Sequence, residues 1–154
     1  KRMVPYLERE GVVSTPIEPE QFALVREMTP LVQERMTLLG EAPGLLGFMF
    51  TDTGALEYAE DALKTLKDGS LEALAATGEA LAAVEEWDAA SIEAAMRAKL
   101  IDELGLKPRV AFGPARVAIA GRRVSPPLFE SMELLGRDDS LARIERLRAK
   151  LAAE

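Results

Sequence analysis

Two adjacent arginines, Arg122 and Arg123, stand directly before a Ser-Pro-Pro sequence in the stretch GRRVSPPLFESMELLG, residues 121–136. Between residues 107 and 123 the chain has five basic residues and no acidic residue. Guanidinium groups clustered near a turn can bind phosphates and other anions. The first chemistry that the sequence offers is therefore anion binding.

Catalysis has little support in the sequence. The chain contains no His and no Cys, which removes the commonest general base, the usual zinc ligands and every Ser-His or Cys-His nucleophile. Adjacent carboxylates such as Glu85 and Glu86 stand near predicted helix ends, where negative charge is expected. No glycine-rich phosphate loop or metal-ligand motif is present. We therefore expect no catalytic residue and no metal site in this chain.

The charge of the chain changes sign along its length. Residues 1–106 carry 9 basic and 20 acidic residues, a net charge of −11, whereas residues 107–154 carry 10 and 6, a net charge of +4. The change coincides with the turn at Gly105 to Pro108. We predict two subdomains, an acidic one of residues 1–106 and a basic one of residues 107–154.

The pattern of apolar residues predicts an all-α fold, because the segments between prolines and glycines have helical spacing. One helix is predicted to begin at Pro19, and a second with Thr29 as its N-cap and Pro30 in its first turn. Residues 55–86 predict two helices with a break at residues 67–70. The next helix is predicted to have Ser91 as its N-cap and to end at Gly105, with an inward stripe of Ile92, Met96, Leu100 and Leu104.

Three further helices are predicted in the basic part. Pro114 and Gly121 bound the first, although the alternation of Val117 and Ile119 leaves a strand as the alternative. Pro126 begins the second, with Ser125 as its cap, and Gly136 ends it. The last helix spans residues 139–152, with leucines and Ile144 inward and the following cations outward: Arg143, Arg146, Arg148 and Lys150.

Two interpretations of the basic turn follow from the residues alone. In the structural one, Ser125 to Gly136 is a capped core helix and the arginines are solvated. In the functional one, a stiff helix start beside Arg116, Arg122 and Arg123 presents donors to an anion, while prolines and a leucine press against an unstacked base. The functional interpretation suggests single-stranded RNA. The alternative function is an acidic helical protein-interaction module that does not bind RNA.

The chain offers no membrane-spanning segment and no sign of secretion. The longest apolar stretch, residues 44–50, is far shorter than the roughly 20 residues of a transmembrane helix. The absence of Cys fits a reducing cytoplasm. Lys1 opens the sequence without an initiator Met, which we expect of a fragment or a processed chain.

The stretch LKPRVAFGPARVAIAGRRVSPPLFESMELLGRDDSLARIERL, residues 106–147, resembles the C-terminal end of bacterial glutamyl-tRNA synthetases. That family has a Leu-Lys-Pro turn, an Arg-Val-Ala segment, a Ser-Pro-Gly-Leu-Phe-Glu helix and a Leu-Leu-Gly ending. The segments PLVQERMTLLGEAPGLLGFMF and EEWDAASIEAAMRAKLIDELGLKP resemble the preceding helices of the family. The resemblance therefore spans most of the chain, more loosely over its first 85 residues.

The resemblance implies an all-α anticodon-binding region of two small helical subdomains that binds the anticodon loop of a glutamate tRNA. The parent would be a cytoplasmic ligase that binds ATP and Mg. Its His-x-Gly-His and Lys-x-Ser-Lys motifs are missing from this chain, so the chain itself would bind no cofactor. We expect a monomer that binds neither DNA nor a membrane.

Most site residues carried over from the family lie around the basic turn, and Arg35 lies in the upstream helix region. Arg116 matches an arginine that contacts an anticodon base, and Ser125, Pro126 and Leu128 fall where the family places side chains against splayed bases. Arg35 lies in the region that discriminates the third anticodon base. The resemblance leaves Arg122 and Arg123 as candidates for phosphate contacts.

Overall fold

The regular elements of this protein are all helical within residues 2–33, 36 and 38–154, the part of the chain that the computed structural model describes. The predicted all-α class is therefore confirmed. The α-helices are α1 Val4–Arg9, α2 Pro19–Val32, α3 Ala42–Leu46, α4 Glu60–Leu63, α5 Ser70–Ala82, α6 Ala89–Met96, α7 Pro108–Ala120, α8 Leu128–Leu135 and α9 Arg137–Ala152. Short 3-10 turns lie at Leu39–Glu41, Gly47–Phe50 and Thr53–Ala55.

The helices before and after residue 106 pack against one another. The face of α5 lies against α9 and α7, and α6 lies against α8. Leu74 and Leu81 of α5 and Ile144 and Leu147 of α9 belong to one buried apolar cluster. Trp87 adds a polar link, because its indole N–H donates to the carbonyl of Met132 at 2.9 Å. The division into residues 1–106 and 107–154 stays a prediction.

The N-terminal part contains one long helix where two were predicted. Helix α2 runs without interruption through Thr29 and Pro30. The Thr29 hydroxyl does not cap a new helix, because it donates back to the carbonyl of Val25 at 2.8 Å, one turn earlier in the same helix. Pro19, not Pro30, occupies the first turn, where a missing N–H has no cost.

Helix α6 begins three residues earlier than the predicted N-cap, Ser91, implied. The N-cap is Asp88, whose carboxylate accepts from the backbone N–H of Ser91 at 2.7 Å. This hydrogen bond holds the pKa of Asp88 below its usual value. The helix continues as a π-helical stretch, Arg97–Glu103, and ends at Gly105 as predicted. The wider π turn changes the angular spacing of the residues, and Leu104 is exposed although the stripe predicted it inward.

The basic part has the predicted number of helices but different starting points. Helix α7 begins at Pro108 and contains Pro114 in its interior, and Val117 and Ile119 are helical, which excludes the strand alternative. Helix α8 begins at Leu128 and is followed at Gly136 by α9. The ends at Gly121 and Gly136 are confirmed, and both glycines have positive φ, a conformation that favours glycine.

The helices of the described residues are all too short or too polar to cross a bilayer.

Candidate nucleic-acid interface

The basic turn between α7 and α8 is the most exposed of the described parts of the predicted site. Arg122, Arg123 and Val124 are all exposed, and Val124 exposes 65% of its surface. The turn thus presents one open apolar side chain next to two guanidinium groups. Sequence reasoning missed Val124, although its signal was present: it is the one apolar residue between the arginine pair and Ser125.

Arg116 lies near the C-terminal end of α7 and is half-buried. The same helix end leads directly into Arg122 and Arg123. The fold thus places three of the predicted arginines at one end of one helix and the turn that follows it. Their roles toward RNA stay predictions.

Ser125, Pro126 and Leu128 are buried beneath this turn. Ser125 is 8% exposed and Leu128 is 4% exposed. The expectation that Ser125 caps the helix is wrong: its hydroxyl donates to the carbonyl of Pro126 at 3.1 Å, and the residue at the N-cap of α8 is Pro127. These residues lie underneath the turn and support it. Their contact with splayed nucleobases stays a prediction. Arg35, the fourth arginine of the prediction, lies outside the described residues.

The backbone of the turn is fixed by the segment of residues 51–59. The N–H of Ala59 donates to the carbonyl of Gly121 at 2.8 Å. Gly121 has φ +70°, and a Cβ at this position would overlap the carbonyl oxygen of Glu57. Glycine is therefore required here both for its backbone conformation and for the close approach of the two segments. The turn therefore begins at a residue, Gly121, whose position is fixed.

Arg143 of α9 is the largest fully buried side chain of the described residues, with 1% exposed. The prediction that it points outward is wrong. Its guanidinium donates to the carbonyls of Ile119 and Thr51, both at 2.6 Å, and to the hydroxyl of Thr53 at 3.2 Å. Burial lowers the pKa of Arg143 and the charge of Asp139 opposes this effect, while an arginine stays protonated. Arg143 therefore joins the end of α7 to residues 51–53.

Arg146 repeats this connection one turn later. It donates to the carbonyl of Leu56 at 2.6 Å, and its guanidinium carbon lies 5.0 Å from the centre of the Tyr58 ring. Burial raises the pKa of Tyr58, and Arg146 partly offsets the rise. Two arginines that were predicted to be solvated thus hold residues 51–58 against α7 and α9. Arg148 and Lys150 do lie at the surface, paired with Glu145 and Glu154.

The described residues of the site contain no arrangement for metal chemistry. Within the described ranges, no group of three or more His, Asp or Glu side chains is placed to hold a metal ion. The exposed groups are cationic and apolar, which suits recognition of a polyanion with stacked or splayed bases.

Comparisons with known proteins agree with the sequence resemblance. A family model described as an anticodon binding domain matches residues 1–148. A glutamate-tRNA ligase of Kocuria rhizophila is 51% identical over 152 residues, which cover 99% of this chain and 30% of that protein. A glutamate-tRNA ligase of Kineococcus radiotolerans is 52% identical over 150 residues, or 97% of this chain and 30% of that protein. The chain thus spans about 30% of the length of these relatives.

A solved structure shares the fold. The crystal structure of a glutamate tRNA ligase from Elizabethkingia meningosepticum, in complex with its amino acid, superposes with a TM-score of 0.75 at 19% identity. The match covers 97% of this chain and 29% of that one. The comparisons confirm the resemblance and give no support to the protein-interaction alternative.

Proposed function

Because this chain belongs to the anticodon binding domain family, we propose that it binds the anticodon loop of a glutamate tRNA as part of a glutamate-tRNA ligase. The high identity to two such ligases along almost the whole chain supports this assignment. The basic turn at residues 121–127 would lie against the loop.

The observation that carries the proposal is the exposed surface of Arg122, Arg123 and Val124 on a fixed backbone. Unpaired RNA bases are recognised by stacking on flat or apolar side chains and by hydrogen bonds to their edges, while arginines bind the phosphates between them. A preformed turn loses little conformational entropy on binding. The acidic remainder of the chain would repel the tRNA elsewhere and favour this one approach.

The individual roles divide between base reading and support. Arg116 would donate to a base edge, and Arg122 and Arg123 would hold phosphates. Ser125, Pro126 and Leu128 would form the floor on which the turn rests and would touch splayed bases only with the small surface that they expose. Arg35 would read the third anticodon base.

The chemistry would belong to residues outside this chain. A ligase of this type would use ATP and Mg to activate glutamate, but this chain has no His and neither nucleotide motif, so its residues do not fit such a site. The chain would supply selectivity for the tRNA. We expect it to act in the cytoplasm as a monomer that does not bind DNA.

The test of this proposal is the affinity of the full chain for a glutamate tRNA anticodon stem-loop, measured against a noncognate stem-loop. A bidentate arginine contact to a base contributes about 1–3 kcal/mol. Arg116→Ala and Arg116→Lys should therefore weaken cognate binding roughly tenfold and reduce the preference over the noncognate loop. Arg148→Ala, on the surface of α9, is the control and should bind as the wild type does.

Thermal unfolding of each variant separates a lost RNA contact from a lost fold. If folded Arg116 variants bind the cognate loop as well as the wild type does, the role assigned to Arg116 is wrong. If the wild type binds neither loop at low salt, the proposed function is wrong.

A further inference from the structure

An open cavity of about 270 Å³ lies beside the basic turn, and its described lining does not include Arg116, Ser125, Pro126 or Leu128. One wall is formed by α3 and the turn after it, including Gly44 and Gly47. The opposite wall is formed by residues 55–57 and by Ala120 and Arg122. The volume is just below the range of about 300–1,000 Å³ that is typical of pockets for drug-sized ligands, which suits a group as small as one base.

The walls of this cavity are held in place before any ligand arrives. Arg143 fixes the carbonyl of Thr51, Arg146 fixes that of Leu56, and Gly121 is hydrogen-bonded to Ala59. Arg143 also donates to the carbonyl of Ile119, so it joins the segment after α3 to the end of α7, while the other two contacts hold residues 55–59 in place. A preformed cavity of this kind is typical of a binding site.

Two glycines leave the cavity open. Gly44 and Gly47 both have nothing within 4 Å of the position that a Cβ would occupy. Gly47 has φ −54° and ψ −37°, a conformation that any residue adopts, so its backbone does not require glycine. Gly47 lines the cavity, so a larger side chain there would occupy its free volume. Glycine at this position leaves the cavity free to admit a ligand.

The charges that line the cavity favour a neutral ligand with hydrogen-bond donors. Glu57 and Arg122 both line it, and no ion pair between these two described side chains is found. A phosphate inside the cavity would meet the carboxylate of Glu57 and be repelled. A nucleobase carries N–H donors on its Watson–Crick edge that a carboxylate accepts, as glutamate does with the amino group of cytosine.

We propose that this cavity takes one unstacked base of an RNA loop, with Glu57 accepting from an N–H of the base edge and Arg122 holding the phosphate of the same nucleotide. Arg122 belongs both to the cavity and to the basic turn, so one nucleotide can occupy the two at once. This inference rests on the proposed function and adds a second base-reading position to it.

The test uses the full chain and the glutamate tRNA anticodon stem-loop. Gly47→Leu fills the cavity and should weaken binding about tenfold or more, the range measured when a base loses its stacking surface. It should leave the salt dependence of binding unchanged, since no phosphate contact is removed. Glu57→Gln keeps the shape, removes the charged acceptor and should also weaken binding.

Gly78→Leu is the matched control. Gly78 lies on α5 and lines a different open groove, of about 460 Å³, between α5 and α9. The same substitution there adds the same side chain to the protein and should leave RNA binding unchanged. Circular dichroism and thermal unfolding of both leucine variants confirm that each is folded.

The possible outcomes separate this inference from the proposed function. If folded Gly47→Leu and Glu57→Gln bind like the wild type while Arg116→Ala is weakened, the cavity takes no base and the anticodon assignment stands. If Glu57→Gln binds more tightly, an anion occupies the cavity and the inference is overturned. If wild-type protein does not bind the stem-loop, both are overturned.

Discussion

Arg143 is a buried cation whose hydrogen-bond partners are carbonyl oxygens of two separate segments. One of them, the carbonyl of Ile119, belongs to the last turn of α7, whose carbonyls have no partner within the helix. The other, the carbonyl of Thr51, follows a 3-10 turn. A positive charge at a helix C-terminus also interacts favourably with the helix dipole. Arg143 therefore satisfies two helix ends at once.

Replacing Arg143 should destabilise the whole protein. Arg143→Met keeps much of the side-chain volume but leaves two carbonyls without donors, and each such loss costs about 1–3 kcal/mol. We expect the free energy of unfolding to fall by roughly 3 kcal/mol, measured by urea denaturation followed by circular dichroism. Arg143→Lys keeps the charge but lacks the planar guanidinium group. Its free energy of unfolding should therefore lie between those of Arg143→Met and the wild type.

Arg148→Met serves as the control for a surface arginine of the same helix. Arg148 is paired with Glu145 at the surface, where ion pairs contribute little to stability. Its urea midpoint should stay close to that of the wild type. A midpoint for Arg143→Met that matches the Arg148→Met value would show that the buried contacts do not stabilise the fold.

The sequence could not predict the burial of Arg143, because its partners are far away along the chain. Thr51 is 92 residues and Ile119 is 24 residues before it. In the pattern of α9, Arg143 directly precedes the inward Ile144, and a cation is placed outward by default. The exposed Val124 was missed for a related reason. Periodicity assigns apolar residues to the faces of helices and strands, and a residue in a turn belongs to no such pattern.

Helix ends at glycine were more predictable in this chain than helix starts, although α2 does begin at Pro19 as predicted. Gly105, Gly121 and Gly136 each end a helix as predicted, because a positive φ strongly favours glycine. Proline is ambiguous: it begins α7 at Pro108 and lies inside it at Pro114. A proline starts a helix only if the residues before it are not already helical, and the sequence around it does not decide that.

The glycine that ends α7 should be the least replaceable of the three. Gly121→Ala introduces a Cβ at φ +70°, which costs about 1–2 kcal/mol, and also forces the Glu57 carbonyl to move. Gly105 has the same φ of +70° but nothing within 4 Å, so Gly105→Ala incurs the backbone cost alone. We expect Gly121→Ala to lower the melting temperature clearly more than Gly105→Ala does. Equal decreases would show that residues 51–59 adapt without strain.

At the scale of the whole molecule, the acidic and basic parts share one apolar core and yet carry opposite net charges. The core gathers residues from α5 of the acidic part and from α7 and α9 of the basic part. The charge pattern predicts that a polyanion approaches the basic part, and this stays a prediction. It does not describe packing, because several of the basic residues, Arg143 and Arg146 among them, bind the protein itself.

This distinction predicts that only some of the basic residues govern the salt dependence of RNA binding. Arg122 and Arg123 are exposed, and each phosphate contact on single-stranded nucleic acid changes the slope of log affinity against log salt by about 0.7. The double variant Arg122→Gln, Arg123→Gln should therefore reduce the slope by about 1.4.

The variant Arg148→Gln, Lys150→Gln is the control. It changes the net charge of the molecule equally, but these cations are paired with Glu145 and Glu154. We expect its slope to match that of the wild type in stem-loop titrations across a salt series. An equal decrease in both variants would mean that the overall charge, and not the turn, attracts the RNA. An unchanged slope in the first variant would remove the phosphate role from the two arginines.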